Sequence, residues 1–213
     1  MSVIFMDGFD YYNNMGPGGR KYDQGSNMSF DVGRFGGQYG APNALFTKTF
    51  PVSYTQLIMG FAQRVDAFQG GWFGTFDPPS HPFLVFYQGP NPQFSLWFDP
   101  GDFHIEIRTR RGEDPTDVVL YDTAFIPPLT LWYYLEIKFN MGTGFFDIQV
   151  DGSSIGTGSV SLNYTGLPAT VNRFGINVTN NASGGVQWGQ WACDDLYVID
   201  PLTGTHNTDF LGE

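Results

Sequence analysis

Apolar side chains in this chain alternate with a period of two, and Gly, Pro, Asn or Asp interrupts the alternation about every 8 to 12 residues. Successive side chains of a strand point to opposite faces, so this pattern describes strands with one apolar face and one polar face. No segment carries a 3.6-residue period long enough for a helix. The chain is therefore expected to be all-β.

The clearest strands come in pairs. Phe94-Ser-Leu-Trp-Phe98, Asp99-Pro-Gly-Asp102 and Phe103-His-Ile-Glu-Ile-Arg108 read as a hairpin, with Pro-Gly at the turn. Phe103, Ile105 and Ile107 are expected on its apolar face, and His104, Glu106 and Arg108 on a wet one. Trp132–Phe139 and Phe145–Val150 read as a second hairpin around Asn140-Met-Gly-Thr-Gly144. Tyr133, Leu135, Ile137 and Phe139 should meet Phe146, Ile148 and Val150 across it, and Asp151-Gly152 should close a tight turn toward Ile155. Asp195–Ile199 is a last strand. Others are expected at Phe30–Phe35, Ala44–Phe50, Gln56–Ala62, Phe83–Gln88, Val118–Asp122 and Arg173–Val178.

Roughly twelve short strands cannot bury their apolar faces as one sheet, so two sheets packed about 10 Å apart are expected. The 21 Phe residues suit such a core, because each brings a large apolar area with few rotors. No stretch has linker composition. Residues 1–213 are expected to form a single β-sandwich domain, with segment 1–28 and tail 201–213 extended or contacting a partner.

Ten basic residues stand against 21 acidic ones, a formal net charge of −11. That balance disfavours nucleic acid and anionic membrane surfaces as partners. Cys193 is the single cysteine, which excludes an internal disulfide and a cysteine-built zinc site. Asp194 and Asp195 would raise its pKa, so it reads as a structural thiol. The start of the chain has neither the basic region nor the apolar run of a secretory signal. No stretch reaches the roughly 18 apolar residues of a membrane helix. Synthesis in a cytoplasm, without export by the usual route, is expected.

Chemistry-bearing patterns are sparse. Glycosidases need two carboxyl groups at a set separation, and the four Glu residues, 106, 113, 136 and 213, share no strand face. His81, His104 and His206 lie in different segments, without the spacing of a histidine metal site. No nucleophile elbow or phosphate loop occurs. The chain is expected not to be an enzyme and to need no cofactor. Asp7, Asp10, Asp151 and Asp195 are candidates for one Ca²⁺ held with backbone carbonyls. Arg108, Arg110 and Arg111 form the one basic cluster, read as a solvated hairpin end able to meet an acidic partner. Trp72, Phe73 and Phe76 in a Gly-rich loop are read either as core rings or as a docking or sugar-stacking surface.

Trp132-Tyr-Tyr-Leu-Glu-Ile-Lys-Phe139, its Gly-rich turn and Phe146-Asp-Ile-Gln-Val-Asp-Gly152 resemble the central hairpin of concanavalin A-like and laminin G-like jelly rolls. Asp194-Asp-Leu-Tyr-Val-Ile-Asp200 resembles the last strand of that fold. Together with Phe5–Tyr12, Gly33–Gln38 and Asn207–Gly212, the chain is similar to bacteriophage virion proteins of this fold. Chains of that group often continue beyond Asp-Phe-Leu-Gly, whereas this sequence stops at Glu213. The resemblance implies a two-sheet antiparallel jelly-roll sandwich of the lectin and glucanase type. It implies a virion structural protein that decorates or cements a capsid by burying surface on the major capsid protein, as a homo-oligomer such as a trimer. The alternative is a carbohydrate-binding adhesion module of a tail fibre or tail tip. The resemblance transfers no catalytic residue.

Overall fold

A computed structural model of the chain describes residues 2–8, 22–23, 28–32, 38–42, 46–65, 82–99, 102–110, 118–163, 166–176 and 191–202. Fourteen strands lie among them and no helix. In chain order they are β1 (Ser2–Asp7), β2 (Met28–Val32), β3 (Gln38–Pro42), β4 (Phe46–Tyr54), β5 (Gln56–Val65), β6 (Leu84–Gln88) and β7 (Asn91–Phe98). There follow β8 (Ile105–Thr109), β9 (Val119–Asp122), β10 (Trp132–Asn140), β11 (Phe145–Val150), β12 (Ser153–Ser159), β13 (Val171–Ile176) and β14 (Trp191–Asp200). No described helix is long and apolar enough to cross a membrane.

The strands form two antiparallel sheets. One has eight strands in the order β12-β11-β10-β5-β14-β3-β2, with β1 also paired to β14. The other has six, in the order β4-β13-β6-β7-β8-β9. Both expected hairpins are present. In the second, Leu135, Ile137 and Phe139 stand opposite Val150, Ile148 and Phe146. Asp151 (φ 47°) and Gly152 (φ 73°) make its two-residue exit turn, the paired left-handed geometry that matches strand twist. Ser2–Asp7 falls within the segment expected to be extended, and it is a strand of the larger sheet.

The inner faces close on one core. Phe86 and Phe94 of the six-stranded sheet stack at 4.8 Å, and both meet Phe139 of the other sheet edge-on, at 4.6 and 5.0 Å. Alternation puts Leu57, Met59 and Phe61 of β5 into that core. It sends Ile58 and Ala62 to the opposite face, where they cluster with Tyr134, Tyr197 and Ile199.

One irregularity decides which residues of β14 face inward. Between Asp194 and Tyr197 the register against β5 shifts, and Asp195 has φ 50°. The extra residue is a β-bulge. It lets Cys193, Leu196 and Val198 all reach the core although strict alternation would separate 193 from 196. Cys193 is fully buried. Burial first, then the Asp194 and Asp7 carboxylates, push its thiol well above the ordinary range, in accord with a structural role.

Candidate functional site

The strands that line the core with one set of side chains present the other set outward. On the six-stranded sheet that outward set combines rings with paired charges. β7 contributes Gln93, Ser95 and Trp97, β6 contributes Tyr87, β8 contributes Glu106 and Arg108, and β13 contributes Arg173. The Arg108 guanidinium lies over the Trp97 ring, 4.9 Å from its centroid, and Arg173 lies over Tyr87 at 4.7 Å. Cation–π attraction of this kind is worth about 0.5–2 kcal/mol, more when water is excluded.

Arg108 is also a charge hub. Its Nη2 reaches Glu106 at 2.6 Å and Asp99 at 3.6 Å, and its Nε donates to Glu106 Oε2 at 2.6 Å. The Trp97 indole N–H donates to Ser95 Oγ at 2.9 Å. Gln93 donates from its side-chain amide to the carbonyls of Pro168 and Thr170, at 2.7 and 3.2 Å. Burial is the main influence on Glu106 and raises its pKa above the ordinary value, with Arg108 pulling the other way.

This arrangement corrects the expected wet face. Glu106 is 4% exposed and Trp97 is 3% exposed. Arg108 is not part of a solvated hairpin end but a half-buried strand residue, stacked and ion-paired. Arg110 lies at the end of the same hairpin with φ 50°, its N–H donating to Gln93 O at 2.9 Å. Phe103 is not a strand residue: it has φ 65°, and β8 begins at Ile105. Arg111, Trp72, Phe73, Phe76 and Asp10 lie outside the described residues. Of the other Ca²⁺ candidates, Asp7 is buried on β1, Asp151 sits in an exposed turn and Asp195 marks the β14 bulge. They do not appear together in any described cluster of acidic and histidine side chains.

Such a cluster does occur at the corner of the six-stranded sheet. His104 Nδ1 is 3.1 Å from Asp102 Oδ2 and 3.0 Å from Asp122 Oδ1. Asp102 and His104 come from the β7–β8 turn, and Asp122 ends β9 directly opposite Glu106. Burial pulls the Asp122 carboxyl up, but the Ala124 N–H and His104 outweigh it, so its pKa lies below the ordinary value. Asp122 is distant in sequence from Asp102 and His104, and only the β8–β9 pairing joins it to them.

Elsewhere, an open groove of about 420 Å³ lies between the β10–β11 turn and the chain after β12. Thr143, Ser159, Ser161 and Asn163 line it, without a charged side chain or a ring.

No protein-family model and no curated protein matches the chain. Solved structures do. Domain 4 of an extracellular arabinanase from Geobacillus stearothermophilus, in complex with arabinotriose, superposes with TM-score 0.53 at 14% identity, over 82% of this chain and 76% of that one. A cellulose-induced protein gives 0.57 at 12% identity, covering 84% and 88%. A botulinum neurotoxin type C structure, described as entering cells through two ganglioside molecules, gives 0.53 at 12% identity, covering 82% and 42%. At such identities the likeness establishes the fold alone, a two-sheet jelly-roll β-sandwich.

Proposed function

We propose that the protein is a carbohydrate-binding module that holds glycans on the outward face of its six-stranded sheet. The observation that carries this reading is the Arg108 hub, a guanidinium laid over the buried Trp97 ring and ion-paired to Glu106 and Asp99, with Arg173 over the buried Tyr87 further along the same sheet; a sugar would meet the guanidinium and carboxylate groups rather than the ring faces. Sugar hydroxyls both donate and accept, so a receptor for them needs fixed donors and acceptors side by side. Arg108 and Asp99 remain partly accessible, with 19% and 26% of their side-chain surfaces exposed. Strand backbone holds them, and ion pairing limits their rotamers before any ligand arrives. The arabinotriose on the arabinanase domain and the gangliosides named for the neurotoxin support the ligand class.

Binding without turnover is the second half of the reading. Glu106 and Glu136 project from opposite outer faces, and Glu106 shares Arg108 with Asp99. A glycosidase pair would have to stand about 5–9.5 Å apart around a sugar. The setting that the sequence resemblance implies is a phage particle, with the module on a tail fibre or tail tip. A capsid decoration role, docked on the major capsid protein as an oligomer, is the rival.

A glycan array probed with the full chain is the deciding experiment. Binding should appear, and Arg173→Gln should weaken it about tenfold, as loss of a charge-assisted hydrogen bond does. Trp72→Ala tests the Gly-rich loop in parallel. A blank array overturns the reading. Mass spectrometry and cryo-electron microscopy of purified particles would then show whether the protein sits on the capsid. β-Glucans should remain uncleaved throughout.

A further inference from the structure

We propose that Asp102, His104 and Asp122 form a site for a divalent transition metal of the zinc class, which ties the edge strand β9 to the β7–β8 turn. The inference is independent of glycan binding. One imidazole nitrogen and two carboxylate oxygens all lie within 4.8 Å of one another, and they come from two separate chain segments. Tetrahedral zinc has metal–ligand bonds of about 2.0–2.2 Å, which places neighbouring ligand atoms about 3.3–3.6 Å apart. The separations of 3.0 and 3.1 Å from Nδ1 are short of that, by about 0.2–0.6 Å, so the two exposed carboxylates need only swing slightly apart to admit the ion.

The donor set selects among metals. Calcium takes six to eight oxygens at longer distances, and an imidazole nitrogen at the centre of the group argues against it. Magnesium keeps its waters and wants octahedral oxygen. Imidazole with carboxylates suits zinc and its first-row neighbours. Three protein ligands leave a fourth position, which opens to solvent because Asp102 and Asp122 are about half exposed, at 50% and 44%.

Local charge favours a cation as well. Glu106 stands across the β8–β9 ladder from Asp122, and Asp99 lies beside Glu106. Like charges opposite each other on a sheet are unfavourable. Arg108 answers Glu106 and Asp99, whereas Asp102 and Asp122 converge on the His104 ring and otherwise accept the backbone N–H groups of His104 and Ala124. A protonated His104 could serve as that cation by itself, and this is the rival explanation of the same geometry. The structural need is plain: β9 is four residues long, ends the sheet order and, among the described strands, pairs with β8 alone.

The test uses the full chain, dialysed against EDTA and then titrated with zinc chloride by calorimetry, alongside thermal melts. One equivalent should bind, and the melting temperature should rise with zinc concentration. Loss of groups that merely orient a ligand costs about 10–100-fold in metal affinity, so His104→Gln and Asp122→Asn should each cost about 100-fold or more. Circular dichroism of the metal-free variants checks that they fold. Cobalt(II) should give the visible absorption of a four-coordinate site in the parent and not in His104→Gln. Absence of zinc binding overturns the proposal and leaves the imidazolium clamp. So does zinc binding that His104→Gln leaves unchanged, or a response to calcium alone.

Discussion

Two single positions show how backbone and burial set what this chain tolerates. Gly144 closes the β10–β11 turn with φ 72°, and a Cβ there would lie 2.0 Å from the Val160 carbonyl oxygen. Both the dihedral and the space exclude a side chain. Gly144→Ala should therefore destabilise by about 3 kcal/mol, adding overpacking to left-handed strain, as a chemical denaturation midpoint would record. A loss below about 0.5 kcal/mol would mean that the turn relaxes freely. Glu106 makes the opposite case. Burial raises its folded pKa above the ordinary 4.5. A raised carboxyl contributes stability that is fully present below the unfolded pKa and is lost as pH rises through the folded one. Glu106→Gln keeps the shape and stays neutral, so its stability relative to the parent should improve as pH climbs from 4 to 7. A gap that stays constant or narrows over that range would contradict the burial account.

Among the elements, the Phe86–Phe94–Phe139 contact joins β6 and β7 of one sheet to β10 of the other. Phe139→Ala removes the ring that touches both partners, in a site with no exposure. It should cost about 3–5 kcal/mol, against under about 0.5 kcal/mol for an exposed position such as Val52→Thr on β4. Urea midpoints of the two variants would show the contrast. The same elements show how much of the structure could be read from the sequence. Period-two alternation was enough for β5, β6, β10 and β11 and for both hairpins, because local turns fix those pairings. It could not place β14 between β5 and β1, since non-local pairing leaves no mark on either strand alone. The β14 bulge was equally hidden: Asp195–Ile199 reads as a regular strand, and only the register shift between Asp194 and Tyr197 reveals the extra residue. For the site, alternation assigned Glu106 and Arg108 to the outward face correctly. It could not foresee that Arg108 would lie across Trp97 and pair with a buried Glu106, because periodicity names a face and not what covers it. The His104 cluster was out of reach for the same reason as β14, since Asp122 arrives through a ladder. The Gly-rich aromatic loop lies outside the described residues.

At the scale of the molecule, the two sheets share one apolar interior. Its buried side chains come from β1, β4, β5, β6, β7, β8, β10, β11, β13 and β14, so neither sheet keeps a dry face without the other. A sheet that lost its partner would expose rows of Phe, Ile and Leu to water, at about 25 cal/mol for each Å² of apolar surface. That cost couples the two layers. Connectivity couples them further, because β4 and β5 are separated by a single residue yet belong to different sheets. Layers coupled in this way are expected to unfold together. Differential scanning calorimetry should give a single transition whose calorimetric and van't Hoff enthalpies agree. Tryptophan fluorescence should move with it, since Trp97 on the six-stranded sheet and Trp132 on the eight-stranded sheet report from different layers. Separate fluorescence and calorimetric midpoints would mean that the layers melt independently. A glycan or metal site on the six-stranded sheet would then report on half of the molecule.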